Sequence, residues 1–318
     1  MQLYVSGSLA LDRIMNFPGK FADHILPDKI HILNVCFLVD GMSEYFGGTA
    51  GNIAYNLALL GEKPLILGCA GKDFAPYAAR LDELGLSRAG IRDVAGQFTA
   101  GAYITTDESD NQITGFNPGA MRERCNYQFP AKHKGQVLAI ISPGNVQDMI
   151  ELPGYFKKAG IPYIFDPGQQ ITALTGEQMV HAITGSMALC TNDYELEMVM
   201  KATGLSRLEL LRRTGALVTT LGDQGSVIAE GDPGKGGKEV RVPAVKVAKV
   251  LDPTGAGDAF RAGLMKGLTL GQSLAEAAAL GSVCAAYCVE KKGTQEHHFS
   301  LAAFNERLNS HFGRTIQA

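Results

Sequence analysis

The sequence predicts an α/β fold, with a doubly wound, mainly parallel sheet flanked by helices and a small β-sheet lid. Short apolar runs alternate with helical patterns along most of the chain. Those runs are continuous rather than alternating, as expected of strands buried on both faces of a sheet. Two β-rich stretches without helices between them interrupt the rhythm and mark the lid.

The elements follow in order. A first strand is expected at 3–6. The stretch 30–39 (IHILNVCFLV) is β-rich and runs on to a strand-like piece around Tyr45. A helix is expected over 50–60, where Ala50, Ile53, Ala54 and Leu57 share a face and Gly61 closes the run. A strand at 64–69 and a helix at 74–84 come next. Two short strands, 102–106 and 112–116, flank a polar turn at 108–111. Together these excursions make a lid of roughly 9–46 and 97–118, inserted in a single domain of 1–318. It would cover the C-terminal edge of the sheet, where open α/β folds bind ligands. An ordinary pair of surface hairpins is the alternative reading. The core resumes with strands at 137–141, 163–165, 187–190 and 216–220, and helices at 146–158 and 194–201. The glycine-rich piece 231–237 (GDPGKGG) reads as an exposed hairpin loop, since no GxxxxGK[ST] phosphate loop occurs anywhere. Helices are expected at 259–268 and 274–288, the second carrying Cys284 and Cys288 on one face with Leu274, Ala277 and Gly281.

The totals exclude several classes of function. With 29 basic and 32 acidic residues among 318, a net charge of −3 offers no electrostatic case for nucleic acid or an anionic membrane as partner. The six cysteines form no CxxC pair, so zinc or thioredoxin-type chemistry is not expected. The first residues, MQLYVSGSLALD, lack a basic segment followed by an apolar core, and no apolar stretch is long enough to span a bilayer. A reducing cytoplasm is the expected compartment.

The chemistry concentrates in Asp252-Pro253-Thr254-Gly255-Ala256-Gly257-Asp258, just before a helical pattern. Glycine and alanine leave the backbone bare where a helix begins. The first N–H groups of a helix lack internal partners and sit at the positive end of its dipole. Such a start can receive a phosphoryl oxygen. A carboxylate in the same turn would repel that group unless it takes a proton from the attacking hydroxyl, so Asp258 suits a general base. A glycine-rich turn with an acidic helix start is the structural alternative.

This segment resembles the C-terminal signature of the ribokinase-like (PfkB) kinases, usually DTxGAGD. Their N-terminal signature, a Gly-Gly pair before an Asn that opens a helix, has its counterpart in Gly47-Gly48-Thr49-Ala50-Gly51-Asn52. Asn192-Asp193-Tyr194-Glu195 resembles the NxxE motif lying between them. The resemblance covers essentially the whole chain. It implies Asp258 as catalytic base and Gly255, Ala256 and Gly257 as anion hole. It implies ATP as phosphoryl donor and Mg²⁺ organised through water by Asn192 and Glu195, as suits a cation that dehydrates reluctantly. Asp12, Ser8, Gly47, Gly48 and Asn52 match the substrate contacts. Thr220, Gly222 and Gly225 match the nucleotide segment. Asp252 and Thr254 match positions whose carbonyls hold a monovalent cation such as K⁺ in some members.

Several segments resemble the bacterial adenosine kinases of this family: GSLALDRIMNFPGKF, ILNVCFLVD, Phe116 to Met121, Asp166-Pro167 with Gln169-Gln170, DPTGAGDAFRAG and Gly293 to His297. The resemblance implies phosphorylation of the ribose 5′-hydroxyl of adenosine, with another nucleoside or a sugar as alternative. A purine needs an apolar or aromatic platform, which Phe116, Phe37 and Leu38 could supply. Cys36 stands where relatives often carry a hydroxyl, and Ala102 where they carry an aromatic. A non-catalytic sensor would have lost the base, which is present. A dinucleotide-dependent oxidoreductase would need GxGxxG after the first strand, where VSGSLALD stands. The lid strands offer unpaired edges, which a homodimer pairing two lids would cover.

Overall fold

Strand β1 (Gln2–Ser6) buries Leu3 and Val5 on one face and Tyr4 on the other. Successive side chains of a strand point to opposite faces, so a continuous apolar run demands cover on both sides. A computed structural model describes residues 1–133, 135–232, 234 and 236–317, and it supplies that cover.

After β1 come β2 (Ala10–Asn16), β3 (Met42–Gly47), α1 (Thr49–Leu59), β4 (Leu65–Gly71), α2 (Ala75–Glu83) and β5 (Ile91–Val94). Next are β6 (Ala100–Thr106), β7 (Gln112–Asn117), β8 (Val137–Ile141), α3 (Val146–Ala159), β9 (Tyr163–Phe165) and α4 (Gly176–Ile183). Then follow β10 (Ala188–Asn192), α5 (Asp193–Thr203), α6 (Arg207–Leu211), β11 (Ala216–Thr220), β12 (Ser226–Glu230) and β13 (Lys238–Val242). The chain closes with α7 (Ala256–Thr269), α8 (Leu274–Val289) and α9 (Leu301–Phe312). Among the described residues no helix is long and apolar enough to cross a membrane.

The large sheet has the order β13-β12-β11-β10-β9-β8-β1-β4-β5. It is parallel from β5 to β11, and β12 and β13 add an antiparallel edge. One core, with Leu3, Val5, Ile53, Leu264 and Leu280, packs α1, α7 and α8 on one face. The other, with Tyr4, Ile141, Met149, Phe156 and Val199, packs α3 and α5 on the opposite face. The loops leaving β1, β8, β9, β10 and β11 therefore converge at one edge. They bring Ser8, Pro143, Asp166, Asn192 and Thr220 to that edge, the usual ligand crevice of such sheets.

The lid is a second sheet, ordered β3-β2-β6-β7. Its register sets Tyr45, Asp12, Ala102 and Phe116 side by side in one cross-strand row. Its other face is fastened to the core. Within the lid Arg13 reaches Glu44 at 2.8 Å and the Tyr103 hydroxyl at 2.9 Å, and it meets Asp73, between β4 and α2, at 3.2 Å.

One expectation needs correction. The stretch 30–39 is not a lid strand: a 3-10 helix covers Pro27–Ile32 and no regular structure follows until β3. Ile30, Ile32 and Leu38 are exposed, with no neighbouring strand to pair. β propensity describes fit to a half-buried pleated surface, and this segment has none. Strand β2 supplies the missing lid strand instead. The loop at 231–237 joins β12 to β13 as expected, although Pro233 and Lys235 lie outside the described residues.

Candidate active site

The N-terminus of α7 forms the floor of the site. Gly255 caps it with φ +78°, in the left-handed region that favours glycine. The first main-chain bond closing the helix runs from the Ala259 N–H to the Gly255 carbonyl at 2.9 Å. Among the described residues the amides of Gly257 and Asp258 have no partner, as an anion hole requires. A Cβ on Gly257 would stand 2.7 Å from Nη1 of Arg261, so the bare position admits the guanidinium beside those amides.

Asp258 is the third residue of α7. Its Oδ2 accepts a hydrogen bond from Nδ2 of Asn52 at 2.8 Å, which leaves Oδ1 for a second partner. Burial pushes its carboxyl up to about 6, against the pull of Asn52 and Arg261, and Glu195 adds to the rise. A carboxylate so placed is ionised at neutral pH yet basic enough to take a proton.

Arg261 lies one turn further along α7 and is buried. Its Nε stands 2.5 Å from Asp166 Oδ2, and its Nη2 donates to Oδ1 at 2.8 Å. Glu195 is 3.9 Å from the same guanidinium. Burial holds the Asp166 carboxyl above the ordinary carboxylate range, in spite of Arg261. Asp166, Glu195, Asp258 and Arg261 line one cleft of about 450 Å³ together with Asn192, Thr220 and Gly222. Three carboxylates facing one guanidinium leave a surplus of negative charge, which suits a site completed by a cation. The oxygen-bearing side chains of Asn192 and Glu195 line the same cleft, a donor set that suits a hydrated magnesium ion. A larger hollow of about 840 Å³ opens at the opposite edge of the sheet, between Met1, Gln136 and Pro162, away from these groups.

At the lid end, burial raises the Asp12 carboxyl above its ordinary range, and Asp252 adds to the rise. Gly47 lies against it: a Cβ there would meet Asp12 Oδ2 at 2.7 Å. Gly48 takes φ +86° between β3 and α1, where a Cβ would strike the Ser8 carbonyl oxygen at 2.6 Å. The Ser8 hydroxyl accepts from the Thr49 N–H at 3.0 Å, so it holds the start of α1. Phe116 is exposed on the Asp12 row, while Phe37 packs against Phe17 and Phe21 inside the lid and Leu38 points to solvent.

At the other end of the cleft, Asn192 and Glu195 form a reciprocal capping box at α5. Glu195 N–H donates to Asn192 Oδ1 at 2.7 Å, and Asn192 N–H to Glu195 Oε2 at 2.8 Å. Helix-start geometry and a place in the cleft thus coincide in one motif. Gly222 lines the cleft, whereas Gly225 packs against β13, where a Cβ would meet the Val242 carbonyl oxygen at 2.1 Å. Asp252 accepts from the Thr254 N–H at 2.9 Å and the Gly293 N–H at 3.0 Å, so it braces the loop before α7. These bonds hold its carboxyl below the ordinary range against the effect of burial.

Sequence reasoning gave no role to Arg261, Asp166, Gln295 or Tyr77, although all four are buried around the site. An arginine inside an apolar helix, at DAFRAG, was the available signal, because buried arginine is rare unless paired.

The model of the pfkB family of carbohydrate kinases matches residues 19–299. The chain is 30% identical over 309 residues to a nucleoside kinase of Methanocaldococcus jannaschii, covering 96% of each protein. A solved nucleoside kinase of Burkholderia thailandensis, in complex with inosine, superposes with a TM-score of 0.86 at 37% identity, over 99% of this chain and 100% of the other. A ribokinase of Thermotoga maritima, 20% identical, superposes with a TM-score of 0.77 over 99% of this chain and 100% of the other. The architecture is accordingly ribokinase-like.

Proposed function

The chain belongs to the pfkB family of carbohydrate kinases, and from that premise we propose that it is an ATP-dependent nucleoside kinase that phosphorylates the ribose 5′-hydroxyl of adenosine. It is a phosphotransferase with an alcohol acceptor. The observation that carries the reading is the Asp258 carboxylate set in the same bare helix start as the unpartnered amides, within one cleft. Inosine is the second reading, favoured by the inosine complex of the Burkholderia thailandensis enzyme.

The geometry supports a simple division of labour. Asp12 and the glycines at 47 and 48 grip the ribose hydroxyls, and Phe116 stacks on the base. Asp258 Oδ1 takes the proton of the 5′-hydroxyl as its oxygen bonds to the γ-phosphorus. The bond to the β–γ bridging oxygen breaks, and ADP leaves with that oxygen. The Gly257 and Asp258 amides and Arg261 Nη1 receive the equatorial oxygens. Asn192 and Glu195 would hold magnesium through water, and the ion would neutralise phosphate charge. The carbonyls of Asp252 and Thr254 are the proposed seat of a monovalent cation. A homodimer would pair the free edges of β3 or β7.

One assay across adenosine, inosine, guanosine, ribose and fructose tests the reading. Free ribose should show kcat/KM at least about 10²-fold below the preferred nucleoside, about 2.7 kcal/mol of transition-state binding. Phe116→Ala should narrow that gap by harming the nucleoside and sparing ribose. Ribose performing as well as any nucleoside would make the chain a sugar kinase. Asp12→Ala should weaken nucleoside binding by about 1.5–3 kcal/mol through lost charge-assisted hydrogen bonds. ATP affinity, measured separately by calorimetry, should stay nearly unchanged. Equal losses for both ligands would mean a misfolded site instead of a missing clamp.

A further inference from the structure

A single file of hydrogen bonds joins the end of lid strand β3 to the base. The Tyr77 hydroxyl donates to the Gly47 carbonyl at 2.8 Å. Gln295 Nε2 donates to the Tyr77 oxygen at 2.8 Å and to Asn52 Oδ1 at 3.0 Å. Thr294 Oγ1 stands 2.9 Å from both the same Asn52 oxygen and the Phe46 carbonyl oxygen, so its single proton serves one of them and the Gln295 contact sets the Asn52 orientation; Asn52 Nδ2 donates to Asp258 at 2.8 Å. Tyr77, Gln295, Thr294 and Asn52 are all buried, so no solvent can substitute for a misplaced partner.

The direction of this file is decided at its far end. A peptide carbonyl can only accept, so Tyr77 must donate to Gly47. The Tyr77 oxygen then accepts, which turns the amine of Gln295 toward it. The same amine meets Asn52, whose amide oxygen must therefore face Gln295. The Asn52 amine is left facing Asp258, where it can only donate. Reversing the file would set the Asn52 oxygen against the carboxylate, an arrangement that requires Asp258 to carry a proton. Gly51 makes room for the device, because a Cβ there would lie 1.8 Å from the Tyr77 hydroxyl oxygen.

We propose that Tyr77 and Gln295 are positioning residues that fix the direction of the Asn52 amide, hold Asp258 as an acceptor, and tie it to the Gly47–Gly48 turn at the end of the lid. This rests on the base role of Asp258. The charged groups around the site are Arg261 on the same helix, Glu195 on α5, Asp166 after β9, Asp12 on β2 and Asp252 before α7, while burial keeps Tyr77 on α2 and Cys288 on α8 uncharged. Neither Tyr77→Phe nor Gln295→Met changes any of the charged ones.

Steady-state kinetics across pH tests the proposal. Tyr77→Phe keeps the ring, and Gln295→Met keeps the length of the side chain. Each should lower kcat about tenfold and move the acidic limb of the kcat profile up by about one unit, as loss of a bond to the carboxylate requires. KM for nucleoside and for ATP should stay within about threefold. Gln295→Glu places an acceptor against Asn52, which reverses the file, and should lower kcat about 10²-fold. NMR titration of the Asp258 carboxyl carbon reads the same rise without substrate. Folded variants with an unmoved midpoint and unmoved limb overturn the proposal. An Asp258→Asn enzyme that remains active overturns the base assignment itself, so the two failures are distinguishable.

Discussion

Asp258→Asn is expected to keep the fold and nucleoside binding while turnover falls roughly 10²–10⁴-fold, the usual range for loss of a general base. Asparagine matches the shape and can still meet Asn52 but cannot take a proton. The pH profile sharpens the test. Burial lifts the carboxyl to about 6, so the ionised form is lost as pH falls through that value. Wild-type kcat should therefore drop about tenfold per unit on the acidic side, and the residual activity of the variant should lack that limb. Calorimetry with nucleoside should return near-native affinity. Turnover close to wild type would remove Asp258 from the mechanism.

Arg261 carries the second large effect. Its Nε and Nη2 are committed to Asp166, while Nη1 lies against the bare Gly257. Charge developing on a transferring phosphoryl group would meet that nitrogen at the buried floor of the cleft. Arg261→Met should lower kcat about 10²–10³-fold, the scale seen when one preorganised donor is lost. It also strands the buried Asp166, at a cost of about 3–5 kcal/mol in stability. The variant Arg261→Met/Asp166→Asn separates the effects: it should regain much of the melting temperature and none of the turnover. Arg261→Lys keeps the charge but loses the planar fork, and should remain at least about tenfold below wild type. A lysine enzyme with native kcat would reduce Arg261 to a brace for Asp166.

The legible part of this protein was local. Strands β8, β9 and β11 lie where continuous apolar runs place them, because a run of that kind is stable only inside a covered sheet. The bare turn ending in Asp258 was equally legible, since glycine and the first acidic residue of a helix act within a few residues of backbone. The stretch 30–39 misled for the complementary reason: its apolar, β-branched content describes a strand, but no neighbour arrived to pair with it. What tertiary structure decided spans long separations. Asn52 meets Asp258 across 206 positions, Gln295 meets Tyr77 across 218, and Arg261 meets Asp166 across 95. The sequence states that an amide, a hydroxyl and a guanidinium exist; only folding removes the water that would otherwise satisfy each of them separately. Once water is excluded, a buried donor must find the acceptor that the packing brings to it, and that pairing orients the base.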